Sequence, residues 1–84
     1  MKKSIYMPRV VDAEYLRNHK IRIEFSNGVI KDIDFEKYIG GGIFEPLKNK
    51  AYFKKFFVDG WTISWPNGVD IAPETLYGYR DGEK

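Results

Sequence analysis

The sequence predicts an α+β fold, an antiparallel three-stranded meander plus a C-terminal hairpin, with one or two short helices packed on the sheet. Three observations lead there. Residues 9–16, 20–25 and 29–35 alternate apolar and polar with the period of half-buried strands. Two turns, "SNG" at 26–28 and "PNG" at 66–68, share one grammar. Between them, "KAYFKKF" carries rings three and four residues apart, the spacing of one helix face.

The first of these turns sets the meander's register. A two-residue Asn-Gly loop would pair Ile23 with Asp32 and Ile21 with Asp34, burying carboxylates. A three-residue loop with Gly28 left-handed in a bulge pairs Phe25 with Val29 and Ile21 with Ile33. It also sets Arg22 opposite Asp32 and Lys20 opposite Asp34, where unlike charges help. The second register satisfies both faces. It leaves Lys31 opposite Ile23, with its ammonium reaching for the sheet edge. With "RNH" at 17–19 as the preceding loop, Tyr15, Ala13 and Val11 join Ile21, Ile23 and Phe25 on one apolar face.

Past Phe35 the alternation stops. Gly40, Gly41 and Gly42 form a flexible elbow. The residues after it lack the Gly-Lys-Ser/Thr of a phosphate loop. Asn49 caps the short helix over "KAYFKKF", which brings Tyr52, Phe53 and Phe56 to the open face of the meander. "PNG" then pairs Trp65 with Val69, Ile63 with Ile71 and Ser64 with Asp70, again with a left-handed glycine at 68. Trp61, Ile63 and Trp65 share the core side, Thr62, Ser64 and Asp70 the other. Pro73 opens a last helical turn, "PETLYGY".

Length and composition narrow the function. A chain of 84 residues suits one domain, 1–84, with a core over about 8–78 and a frayed tail at 80–84. Such a chain buries little surface, and its aromatic content of 17% compensates. It contains no cysteine, so disulfides and thiolate metal sites are excluded. The N-terminal "MKKSIYMPRVVD" has no apolar core of signal-peptide length, and no run approaches a membrane span. A cytoplasmic protein with no membrane association is expected. The net charge of +2 does not by itself imply nucleic acid.

The runs "FSNGVIKDIDF", "GGIFEPLKNKAYFKKFFV" and above all "WPNGVDIAPETLY" resemble the bacterial domain-of-unknown-function family numbered 2442, over roughly residues 8–78. The resemblance implies a small α+β fold and no established activity. Some relatives carry a helix-turn-helix after this domain, which implies a regulatory accessory role. These 84 residues hold no such module, which argues against direct DNA reading. Relatives are also often encoded beside a second small protein, which implies a two-gene regulatory or toxin–antitoxin-like complex. Some bear labels from molybdopterin-guanine dinucleotide biosynthesis, for which the chain shows no glycine-and-lysine nucleotide-transfer signature.

Chemistry finds few candidates. His19, the one histidine, falls in a turn and is expected at the surface. Asp32 and Asp34 point one way but are too few for a calcium cage, and Arg22 and Lys20 neutralise them. No catalytic residue, metal ligand or cofactor is expected. Asp70 is assigned the turn-to-helix junction, accepting the Ser64 hydroxyl or the amides that open the last helix. The functional expectation is a non-enzymatic module that binds another protein, the neighbouring gene's product or a second copy, by strand addition at a sheet edge. Trp61, Trp65, Asp70 and Glu74 are its candidate contacts. One alternative is a nucleic-acid accessory domain using Lys48, Lys50, Lys54, Lys55 and the ring of Tyr52. Another is a small ligand-binding protein or hydrolase at Asp70 and Glu74.

Overall fold

The computed structural model describes residues 8–80. Strands β1 (Val10–Arg17), β2 (Lys20–Phe25) and β3 (Ile30–Asp34) form an antiparallel sheet in the order β1-β2-β3. Ile21 lies opposite Ile33, Arg22 opposite Asp32 and Lys20 opposite Asp34, the register of the three-residue loop. The loop closes as expected. The Gly28 amide donates to the Phe25 carbonyl at 2.9 Å, the Phe25 amide donates to Val29 at 2.8 Å, and Gly28 has φ +90°. Lys31 escapes its apolar neighbour by donating to the Tyr79 carbonyl at 2.9 Å, across the Tyr77 ring. Arg22 grips Asp32 through two hydrogen bonds, 2.7 and 3.1 Å, but both side chains are about half exposed. Such a pair, open to water and salt, contributes little to stability.

β1 departs from strict alternation. Its pairing with β2 slips by one residue between Val10 and Asp12 and again between Tyr15 and Arg17. Each bulge inserts a residue and flips the faces beyond it. Val10 therefore fills the core position expected of Val11, which stands exposed. The second slip shortens the first loop to Asn18-His19, with Asn18 left-handed at φ +51°.

After β3 the Asp34 carboxylate accepts the Glu36 amide at 3.0 Å and starts a 3-10 turn, Phe35–Tyr38. The glycine elbow follows, then a second 3-10 segment, Gly42–Lys48. Asn49 caps helix α1 by accepting the Tyr52 amide at 3.1 Å, but α1 runs only Lys50–Phe53. The chain straightens at Phe57–Val58 into a strand, β4, where the sequence pattern predicts none. β4, β5 (Ile63–Ser64) and β6 (Asp70–Ile71) form a second antiparallel sheet in that order. The hairpin thus gains a third strand. The aromatic and β-branched pair Phe57-Val58 suits an extended chain better than a continued helix. The final helix, α2 (Pro73–Tyr77), opens on proline and buries Leu76.

The two sheets and α1 meet in one apolar cluster. Phe35, at the end of the first sheet, lies 5.8 Å from Phe53 on α1 and 6.0 Å from Trp65 beyond β5, ring centre to ring centre. Around them Ile21, Ile23, Ile33, Leu47 and Leu76 are fully buried.

The "PNG" loop copies the first. The Gly68 amide donates to Trp65 and the Trp65 amide to Val69, both at 2.9 Å, and Gly68 has φ +88°. A Cβ at Gly28 or Gly68 would meet nothing within 4 Å, so substitution there tests backbone conformation alone. Gly28→Ala and Gly68→Ala should each lose about 1 kcal/mol or more in denaturant melts. Gly40, with an ordinary φ and equally open space, serves as control and should lose nothing. Parent-like stability at both turns would refute the bulged loops.

Candidate functional site

The segment between β4 and β5 is organised by one carboxylate. Asp59 Oδ1 accepts the Trp61 amide at 2.9 Å and the Thr62 amide at 2.8 Å, while Oδ2 accepts the Ser64 hydroxyl at 2.6 Å. An aspartate in front of a glycine makes this kind of turn because its side chain reaches amides two and three residues on. The hydrogen bond from Ser64, then that from Thr62, holds the Asp59 carboxyl below the usual carboxylate range.

This corrects the role expected of Asp70. The acceptor for Ser64 is Asp59. Asp70 pairs with Ser64 only along the backbone, and its side chain is exposed with no hydrogen bond among the described residues. Nor does a side chain cap α2, whose N-cap is Ala72. The side of the hairpin assigned to solvent is also partly covered: Thr62 is buried, its hydroxyl donating to the Ile71 carbonyl, and Ser64 is buried too.

The Asp59 turn aims Trp61 outward. The expected alternation would bury this ring, but the turn breaks it, and the side chain is 57% exposed. Its backbone is tied to the other sheet, since the Val10 amide donates to the Trp61 carbonyl at 3.0 Å. Val58 of β4 packs on the core, so alternation leaves its neighbour Phe57 outside at 47% exposure. On β1 the bulge leaves Val11 at 40%. Three large apolar side chains therefore stand exposed on elements the backbone holds together. Ile30 and Ile43 are exposed too, on β3 and on the second 3-10 segment.

The other candidates divide. Trp65 is core, with Nε1 donating to the Phe53 carbonyl at 2.8 Å. The Tyr52 hydroxyl is occupied, accepting the Asn67 amide at 2.8 Å. Lys48, Lys50, Lys54 and Lys55 are all exposed. Three of them face partners on their own surface: Lys48 with Glu45 at 3.4 Å, Lys50 with Asn18 at 3.4 Å, and Lys54 over the Tyr15 ring at 5.0 Å. Glu74 is exposed in the first turn of α2. His19, expected at the surface, is instead buried edge-on against Phe53 at 4.8 Å. Among the described residues no three histidine, aspartate or glutamate side chains cluster as a metal cage. No helix among them is long and apolar enough to cross a membrane. The tail expected to fray at 80–84 lies, beyond residue 80, outside the described residues.

Sequence reasoning missed Asp59, Phe57, Val11 and His19. For Asp59 the signal was present, in the Asp59-Gly60 dipeptide ahead of a β-branched run.

Against known families, the model described as Protein of unknown function (DUF2442) matches residues 10–82, nearly the whole chain. Comparison with curated proteins and with solved structures gives no match.

The two aspartates make opposed predictions. Asp59→Ala removes an acceptor for two amides and a hydroxyl and should cost about 1–2 kcal/mol, the scale of a lost cap. Asp70→Ala should stay within about 0.5 kcal/mol of the parent, as exposed substitutions do. Because folding lowers the Asp59 pKa, its contribution is present above the unfolded-state pKa and is lost as pH falls through the lower folded one. Asp59→Asn should therefore show a flatter acid limb in stability measured between neutral pH and pH about 2. A parent-like acid limb would rule this out.

Proposed function

The chain belongs to the DUF2442 family of proteins of unknown function, and we propose that it acts as a non-enzymatic module that binds a partner protein where β1 meets the β4–β5 turn. The carrying observation is the exposure of Trp61, Phe57 and Val11 on backbone joined by the Val10–Trp61 hydrogen bond. Exposed single apolar residues are ordinary, whereas several on adjoining rigid elements mark a contact surface. A tryptophan on a turn whose backbone is already fixed is a good anchor, because no backbone order has to be gained on binding. Its placement next to the bulge in β1 supports the same reading, since bulges re-aim side chains at sheet edges. The neighbouring gene's product is the first partner to test.

Co-expression of that product with the parent and with Trp61→Ser and Phe57→Ser variants tests the proposal. Both variants should fold like the parent, since neither side chain is in the core. Trp61→Ser should weaken the complex about 30-fold or more, the scale of a central aromatic anchor. Lys54→Glu and Lys55→Glu should leave it intact. Retention of the partner by the Trp61 variant would overturn the assignment of the surface. Binding of the parent to DNA or RNA that falls steeply with salt and is lost on lysine replacement would replace it with the nucleic-acid alternative.

A further inference from the structure

The outer strands of the first sheet are finished differently. β1 is tied to the second sheet by the Val10–Trp61 hydrogen bond, whereas β3 has no strand on its far side among the described residues. The ladder between β2 and β3 shows which backbone groups stay free. The Phe25 amide donates to Val29 at one end of it and the Phe35 amide to His19 at the other, both at 2.8 Å. In an antiparallel pair, bonded and unbonded positions alternate. Lys31 and Ile33 therefore bond to β2, and the amides of Ile30, Asp32 and Asp34 point away from it. No hydrogen bond reaches these amides among the described residues. Ile30 is 57% exposed and the Asp32 side chain 49%, so this edge is open to solvent. An unpaired edge is a template for one more strand.

Side chains on the solvent face decide which strand fits. Across the sheet the row Glu14, Arg22, Asp32 alternates in sign. Asp34 ends the next row, opposite Lys20, and Ile30 ends another, opposite Glu24. Unlike charges directly across a strand pair attract, and like charges repel. A strand added beyond β3 continues these rows with a cation opposite Asp34, a cation opposite Asp32 and an apolar residue opposite Ile30. Arg22 already binds both oxygens of Asp32, but each oxygen keeps a second acceptor site for an incoming cation. On the core side, the residue between the cations lies beside buried Ile33 and suits an apolar side chain. A second copy of β3 is the wrong occupant. In the antiparallel register of full overlap, Asp32 would face Asp32 of the other copy, and Ile30 would face Asp34. Sliding by one pair sets Lys31 against Lys31 instead.

We infer that the outer edge of β3 is a second docking site, which takes an extended antiparallel segment of a partner protein as a fourth strand with the pattern basic–apolar–basic–any–apolar. Read from its N-terminus, the segment sets its basic residues against Asp34 and Asp32 and its last apolar residue against Ile30. Ladder bonds form at Ile30 and Asp32, and the Asp34 amide gains an acceptor. Antiparallel addition continues the sheet's own pattern, and its ladder is the more stable kind. β2 lies between this edge and the Trp61 surface, so the two sites work without each other.

A synthetic peptide with capped ends, Thr-Arg-Val-Lys-Thr-Val-Thr, tests the site by NMR titration of the full chain. At free peptide about four times its Kd, the amides of Ile30, Asp32 and Asp34 should exchange with solvent about fivefold more slowly. Methylating the backbone nitrogen of the peptide's lysine, which faces β3, should abolish binding. Methylating that of the threonine after it, which faces away, should not. Asp32→Lys, an exposed change, should fold like the parent and bind this peptide about fivefold less tightly. A peptide with glutamate in place of the lysine should reverse that order. Trp61→Ser should bind the peptide like the parent, which separates this site from the surface proposed above. Equal affinity for a scrambled peptide of the same composition, unchanged exchange at Ile30, Asp32 and Asp34, or no binding at millimolar peptide would overturn the site. Dimerisation of the parent that protects the same amides would assign the edge to a second copy and overturn it too.

Discussion

The indole of Trp65 holds this fold together. Its ring lies 5.7 Å from Phe53 and 6.0 Å from Phe35, and its Nε1 donates to the Phe53 carbonyl at 2.8 Å. One side chain thus joins the second sheet to α1 and to the end of the first sheet. The elements it joins could not stand alone. A four-residue helix lies far below the length at which helices persist in water, and two-residue strands have almost no ladder. The Phe53 carbonyl ends that helix and has no helical amide left to accept from. Burial without the indole N–H would leave it unpaired, at a cost of about 1–3 kcal/mol. Packing and polar satisfaction therefore converge on one residue.

What the sequence disclosed and what it hid follow from the range of the forces involved. Both Asn-Gly loops were legible because their constraints are local. Gly28 and Gly68 supply the left-handed residue, and Asn27 and Asn67 each accept the amide two residues on, at 3.1 Å in both turns. The facing of Ile21 and Ile33 followed from charge on one side and grease on the other. The Asn49 cap and the Pro73 helix start were equally local. The bulges in β1 were not legible. Val10 and Val11 are alike in hydrophobicity, so nothing in the pattern told which would turn inward. The burial of His19 was hidden for another reason. The Leu47 carbonyl that accepts its hydrogen bond comes from a segment 28 residues later.

The candidate site was legible only in part, and the error over Asp70 shows why. "NGVDIAP" drew attention to an acid beside a helix start, yet Asp59, in a plainer setting, does the organising. The cross-strand pairing misled. Asp70 is cross-strand to Ser64 but projects to solvent, whereas Asp59 reaches Ser64 across its own turn. The candidates then sort by whether the fold has already used them. Trp65 and Tyr52 spend their hydrogen-bonding groups on Phe53 and Asn67. Trp61 spends only its backbone and leaves its ring free.

β1 carries this division from one end of the molecule to the other. At its start, Val10 binds Trp61, beside the exposed apolar side chains. At its finish, the Asn18-His19 turn drops the imidazole beneath Leu47 and next to Glu36. Eight residues at about 3.3 Å each put roughly 25 Å between the two. Each end is created by a bulge, one turning Val11 outward and the other shortening the loop that buries His19. The same local device thus yields an apolar surface at one end and a polar pocket at the other. The strand between them is anchored by its pairing with β2, so a substitution of Trp61 leaves the pocket's walls in place, and a substitution of Glu36 leaves the apolar surface unchanged. Effects of substitutions so far apart are close to additive, and each end can be read without the other.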